Sequence, residues 1–206
     1  MDANNILFFD IETASRAKSY DDLTPTQKKL WDLKSAINFP NSNPRNTFIN
    51  SGYTPDLGKI TVASGLNDNG DIKSYTSKVN GTDAEAARGL SDMMRNSNKF
   101  VGGHNVAGFD IPYTAHRMRV NGVEIPDQFK QNKNKPWRNR FKDSMRATGG
   151  RNLGVAAAIF GVENPKANLQ GTNTHKLYYE GKTDQLKKYN VGDVKQNKEI
   201  YKKGGC

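Results

Sequence analysis

Apolar and polar positions recur along this chain with the period of strands in some stretches and of helices in others. Residues 6–12 (ILFFDIE) form an apolar run with carboxylates at alternate late positions, which predicts a strand. Further strands are expected over 59–65 and 72–75, around the turn signal Asn67-Asp68-Asn69-Gly70. Thr82-Asp83-Ala84-Glu85 reads as a capping box, with Ala86, Leu90 and Met93 following at helical spacing. Phe100-Val101 is a short apolar strand leading into Gly102-Gly103-His104-Asn105. A helix over 110–120 stops at Asn121-Gly122. The segment 141–144 is the last strand, and helices over 152–160 and 184–202 are closed by Gly161 and by Gly204-Gly205. Residues 16–57 interrupt this pattern as a polar insertion rich in Asn and Pro. Within it Thr24-Pro25 opens a helix that places Leu30, Leu33 and Ile37 on one face. Strands first, then strand–helix alternation, predict an α/β fold. There is no internal repeat and no clear boundary, so residues 1–206 are read as one domain.

Composition narrows the class. Only 34% of the 206 residues are hydrophobic, so surface and loops take a large share of the chain. Thirty-one Lys+Arg against 21 Asp+Glu leave a formal charge of +10, which fits either a polyanionic partner or simply a soluble basic surface. Cys206 is the only cysteine, which excludes a disulfide within the chain. The start MDANN lacks a basic leader and no apolar run reaches span length, so a cytoplasmic protein with no membrane association is expected. The Asn- and Lys-rich composition would suit a bacteriophage or mobile-element protein, in which case the compartment is the host cytoplasm.

The candidate chemistry lies in acids. Asp10 and Glu12, two apart on a strand, point to one face amid Phe8, Phe9 and Ile11. Two adjacent carboxylates in apolar surroundings repel each other, and a divalent metal relieves that cost. The alternative is a wet strand end with solvated acids. Asp110, after Gly108-Phe109 and before Ile111-Pro112, reads by itself as a helix N-cap. In the last helix Leu186, Tyr189, Asp193 and Ile200 share a face, which puts an acid where packing is expected; a salt bridge to a nearby lysine is the plainer account. Together, four carboxylates from three separated segments can hold two divalent ions about 4 Å apart, the arrangement of phosphoryl displacement.

Three stretches are similar to a known family. Phe9-Asp10-Ile11-Glu12-Thr13, Gly103-His104-Asn105-Val106-Ala107-Gly108-Phe109-Asp110 and Tyr189-Asn190-Val191-Gly192-Asp193 resemble, in order, the three exonuclease motifs of the DEDD (DnaQ-like) superfamily. The last is in its Tyr-x-x-x-Asp form. The best match is to predicted exonucleases akin to the proofreading domain of family B DNA polymerases. Similar pieces occur at Tyr53-Thr54-Pro55, Gly58-Lys59-Ile60, Ile125-Pro126, Lys135-Pro136-Trp137, Asp143-Ser144-Met145 and Leu177-Tyr178. The likeness covers most of the chain outside roughly 16–50.

This resemblance implies a ribonuclease H-like fold, a central mixed five-stranded sheet flanked by helices. It implies a 3′→5′ exonuclease that uses two divalent cations, Mg²⁺ or Mn²⁺. Asp10 would bridge both ions, Glu12 and Asp193 would bind the nucleophile-side ion, and Asp110 the leaving-group-side ion, directly or through water. Tyr189 would orient the attacking water, because a phenol with a pKa of about 10 is a poor base near neutral pH. Thr13 would touch the terminal nucleotide, with Asn105 and Phe109 shaping its pocket. The sister subclass has a histidine five residues before the final Asp; here that residue is Lys188, which leaves His104, His116 and His175 to structural or substrate-contact roles. Relatives often carry cysteine where Asn190 stands, and that position is expected to lie off the catalytic face. The insertion is left as a lid, a duplex-gripping arm or a partner surface.

Lys130, Lys133, Lys135, Arg138, Arg140 and Lys142 crowd around Trp137 with no acid between them. Such a loop can track a phosphate backbone while the indole stacks on a base, making Lys135, Trp137 and Arg138 candidate substrate contacts; a solvated loop anchored by Trp137 is the alternative. The expected substrate is nucleic acid, DNA 3′ ends, with a polymerase or replication partner unspecified. An exoribonuclease with the same site and a catalytically idle nucleic-acid-binding module are the rival functions.

Overall fold

A computed structural model describes residues 2–67, 69–130, 141–163 and 174–204. In chain order it contains β1 (Ile6–Ser15), α1 (Pro25–Asn38), α2 (Pro44–Thr47), β2 (Gly58–Leu66), β3 (Ile72–Thr76), α3 (Ala84–Arg95), β4 (Phe100–Gly103) and α4 (Asp110–Val120). These are followed by β5 (Phe141–Asp143), α5 (Ser144–Ala147), α6 (Leu153–Ile159), α7 (Thr174–Tyr179) and α8 (Thr183–Gly204). The five strands form one sheet in the order β3-β2-β1-β4-β5. β1 pairs antiparallel with β2, and β2 with β3, whereas β1–β4 and β4–β5 are parallel. This is the mixed five-stranded α/β sheet of a ribonuclease H-like fold.

The central strand β1 carries two different stripes because successive side chains leave opposite faces of a strand. Leu7, Phe9 and Ile11 enter the larger core with Leu90 and Met94 of α3 and Ile111 and Met118 of α4. Ile6 and Phe8 pack on the other face with Val194 and Tyr201 of α8, and Ala14 with Leu186 of α8 and Tyr178 of α7. Asp10 and Glu12 fall between Phe8 and Ala14 on this second stripe. The face toward α8 is therefore apolar at both ends and acidic in its middle.

Two features open space there. The parallel pairing of β1 with β4 covers only Ile6–Phe8, so β1 runs on past the end of its neighbour. On the other side the β1–β2 register shifts between Glu12 and Thr13, leaving Thr61 outside the pairing, and its hydroxyl donates to the Glu12 carbonyl at 3.0 Å. A bulge re-aims the side chains beside it, here those of Glu12 and Thr13.

The insertion builds a small core of its own from Leu23, Trp31, Phe48 and Leu57. Helix α1 starts at the expected Thr24 cap with Pro25 at its first position. Its buried face is not the expected one, however. Leu33 and Ile37 are 59% and 79% exposed, while Trp31 and Ser35 face inward and only Leu30 of the expected trio is partly covered. A polar helix offers more than one weak apolar stripe, and the bulky indole, donating from Nε1 to the Pro44 carbonyl at 2.8 Å, takes the interior. The segment is drawn against β1 at Gly52, where a Cβ would sit 2.8 Å from the Ala14 backbone carbon.

The capping box at 82–85 is also not formed. Asp83 occupies the N-cap position of α3 but its carboxylate turns inward, to Arg117 of α4, Asn121 and the Ile60 N–H. The last helix continues through Gly204 rather than closing before it, and Ser144 opens α5 instead of ending β5. Among the described residues, no helix is long and apolar enough to cross a membrane.

Candidate active site

Helix α8 presents Leu186, Asn190, Asp193, Val194, Asn197, Ile200 and Tyr201 as its buried face. Three to four residues per step keep these side chains on one stripe, so the acid at 193 meets the acidic middle of β1. Oxygens of Asp10, Glu12 and Asp193 lie within 4.8 Å of one another, with Asp193 buried and the other two half-buried. Carboxylate oxygens at this spacing form an all-oxygen donor set that suits a hard divalent cation such as Mg²⁺ or Mn²⁺.

Asp110 approaches from the other layer. It is the first residue of α4, behind Phe109 at the cap position, so it does not act as the N-cap its surroundings predict. Its Oδ1 instead accepts from the Ile11 N–H at 3.2 Å, on the strand residue between Asp10 and Glu12. Burial pushes its carboxyl well above the ordinary range; the Ile11 N–H and its own N–H oppose this, and the anions of Asp143 and Asp193 add to it. The loop before α4 is fixed by Asp143 at the end of β5. Its carboxylate accepts from the Asn105 N–H at 2.9 Å, the Ala107 N–H at 3.2 Å and the Met145 N–H at 3.0 Å. His104 braces the same loop through Ser144 Oγ and the Arg151 carbonyl, both at 2.9 Å.

Beside Glu12 lies a cavity of about 210 Å³ lined by Ile11, Glu12, Thr13, Ile49, Gly52, Tyr53, Phe109, Thr174, His175 and Tyr189. The sequence-predicted Thr13, Phe109 and Tyr189 thus share one cavity with a carboxylate of the cluster. Tyr53 and Phe109 meet edge to face with ring centres 6.2 Å apart, and Ile49, Gly52 and Tyr53 show that the insertion supplies one of its walls. Tyr189 also borders a larger groove of about 510 Å³ along α8, lined in part by Val162, Lys188, Gly192 and Lys195. The smaller cavity is the one that reaches the acids.

Asn105 sits elsewhere. It is exposed in a left-handed turn (φ 56°) and does not line the cavity. Lys135, Trp137 and Arg138 lie outside the described residues. His175 lines the cavity while its Nε2–H donates to the Lys18 carbonyl at 2.9 Å, and burial lowers its pKa. His116 faces Asp56 at 3.4 Å.

Three contributors were not anticipated. Asn190, expected off the catalytic face, is fully buried and its Nδ2 donates to Asp10 Oδ2 at 2.6 Å. No sequence signal marks that contact, since it depends on how α8 rotates against β1. Asp143 was placed inside the expected strand over 141–144; the signal that could have found it is an aspartate ahead of Ser144-Met145-Arg146, the pattern of an N-cap. The cavity wall from Ile49 and Tyr53 was hidden by the polar character of the insertion.

The fold and the acid cluster together define a ribonuclease H-like α/β protein with a candidate cation site at the end of its parallel strands. Among solved structures the chain is similar to the family B DNA polymerase from the hyperthermophilic archaeon Pyrobaculum calidifontis. The TM-score is 0.64 at 18% identity, over 96% of this chain and 24% of the polymerase. The chain thus spans about a quarter of that protein's length. No family model and no curated protein sequence matches it.

Proposed function

We propose that this protein is a metal-dependent 3′→5′ exonuclease that hydrolyses the terminal phosphodiester of DNA and releases nucleoside 5′-monophosphates. The observation that carries the reading is the meeting of Asp10, Glu12 and Asp193 within 4.8 Å beside a cavity lined by Thr13, Phe109 and Tyr189. The three motif resemblances and the shared fold with a family B DNA polymerase support it. Asp10, Glu12 and Asp193, with Asp110 behind β1, are the residues that would hold two divalent cations. Such ions, when bound, lower the pKa of water and offset charge building on a phosphate.

The chain's own residues do the rest. Tyr189, at the border of the cavity and one turn before Asp193, orients the attacking water through its hydroxyl. Thr13 and Phe109 hold the terminal sugar and base, and Tyr53 and Ile49 extend that apolar wall. The 16–57 segment is part of this unit, a wall of the nucleotide cavity rather than a separate arm.

The test offers 5′-labelled single-stranded DNA and RNA of one sequence to the full chain with Mg²⁺, with Mn²⁺ and with EDTA. A ladder shortening from the 3′ end on DNA, absent in EDTA and with Asp10→Ala, is the expected result. Digestion of RNA alone makes the protein an exoribonuclease. Binding that survives EDTA with no cleavage under any condition makes it an idle nucleic-acid-binding module and removes the nuclease reading.

A further inference from the structure

Asn190 follows Tyr189 on α8 and has no part in the mechanism above. It is fully buried, and its side chain reaches Asp10 Oδ2 at 2.6 Å. An ionised carboxylate oxygen only accepts, so the contact fixes which end of the amide faces Asp10: the nitrogen donates. The other end, Oδ1, is buried with no hydrogen-bond partner among the described residues. This amide is satisfied toward the carboxylate cluster and not away from it.

Asp10 stands between two like charges. Its neighbours Glu12 and Asp193 bring oxygens within 4.8 Å, and Asp10 is half-buried, so repulsion favours rotation of its carboxylate toward solvent. A short hydrogen bond to a charged acceptor is among the stronger contacts available to hold it. Helix geometry supplies that contact from the same turn as Asp193: positions 190 and 193 are three apart and share a face. One turn of α8 therefore brings both a cluster acid and the anchor of the acid opposite.

We propose that Asn190 is a positioning residue that locks the rotation of the Asp10 carboxylate and thereby sets the affinity of the Asp10–Glu12–Asp193 cluster for a divalent cation. The inference rests on the metal-dependent reading of that cluster. Removing a hydrogen-bond partner of a metal-binding carboxylate typically weakens metal affinity about 10- to 100-fold.

The experiment titrates the full chain with Mn²⁺ alone by isothermal calorimetry, alongside circular dichroism to follow folding. Asn190→Ala is expected to weaken Mn²⁺ binding about 10-fold or more while KM for DNA stays unchanged. Asn190→Leu, which keeps much of the volume and removes the donor, is the second variant and carries the same expectation. Asn197→Ala is the control: this amide is equally buried on α8 but accepts from Ser144 Oγ at 3.3 Å, so it lowers the melting temperature and leaves Mn²⁺ affinity alone. A folded Asn190 variant that binds Mn²⁺ as tightly as the wild type overturns the positioning role and leaves the metal reading standing. A wild-type chain that takes up no Mn²⁺ overturns the metal reading, and this inference with it.

Discussion

Asp83 and Asp110 are two buried aspartates at the starts of neighbouring helices, 0% and 4% exposed, and they are driven in opposite directions. Burial works to raise both. At Asp83 the two-pronged contact from Arg117, with N–O distances of 2.8 Å, outweighs burial, and with the Ile60 N–H and Asn121 it holds the carboxyl below the usual range. At Asp110 the surrounding charges are Asp143 and Asp193, which add to burial and lift the carboxyl well above it. One acid comes with its own cation and ties α3 to α4. The other is placed among further acids, an arrangement that lowers stability by itself and that a bound cation relieves. The contrast separates architecture from chemistry within one core.

Substitutions sharpen that contrast, beginning with the largest effect. Asp193→Asn should bring 3′-end digestion down to background while the melting temperature stays level or rises, because a repelling charge is removed from the cluster. A gel assay and a thermal melt in EDTA read the two halves. Arg117→Leu should do the opposite kind of damage. It strands Asp83 as a buried, unpaired charge, at a cost of about 3–5 kcal/mol in urea unfolding. Asp143→Ala should lie between them: three backbone N–H groups lose their acceptor, stability falls by about 2 kcal/mol in the same urea experiment, and kcat falls as the loop before Asp110 loosens.

The smallest effect depends on pH. Since the folded Asp110 carboxyl titrates above its unfolded value, folding takes up a proton in the window between the two. Its contribution is most favourable below about pH 4 and is lost as pH rises through the raised folded value. Asp110→Asn keeps the acceptor for the Ile11 N–H and removes this loss. In EDTA the variant should melt higher than the wild type at pH 7–8, and the gap should close as the pH is lowered toward 4. A gap that is constant with pH would show that Asp110 carries no excess charge cost.

Much of this was legible in the chain itself. Five strands and the larger helices stand where periodicity and turn residues place them, and helix 110–120 keeps its expected bounds, with Gly122 and Gly161 in the left-handed region at φ 65° and 57°. Strand alternation alone puts Asp10 and Glu12 on one face, and helical spacing puts Asp193 on a buried one. What stayed hidden depends on the rotation and approach of whole elements. The interior side of α1 was decided by Trp31 finding Phe48 and Leu57, a contact no local pattern contains. Asp83 followed Arg117 of α4, 34 positions away, in preference to its own helix end. Asn190 reached across to a strand 180 positions earlier: the buried stripe of α8 holds the expected Leu186, Asp193 and Ile200 but is wide enough to take in Asn190 as well. Tyr53 and Ile49 joined the cavity because Gly52 lets a polar insertion press on β1.

The most direct test of the account is an anomalous difference map from a crystal of the wild-type chain soaked in Mn²⁺. Anomalous density bonded to the Asp10, Glu12 and Asp193 oxygens is the predicted result, with a second peak toward Asp110. A map that places Mn²⁺ elsewhere on the surface and leaves these carboxylates without it would contradict the claim that the cluster is built for a cation.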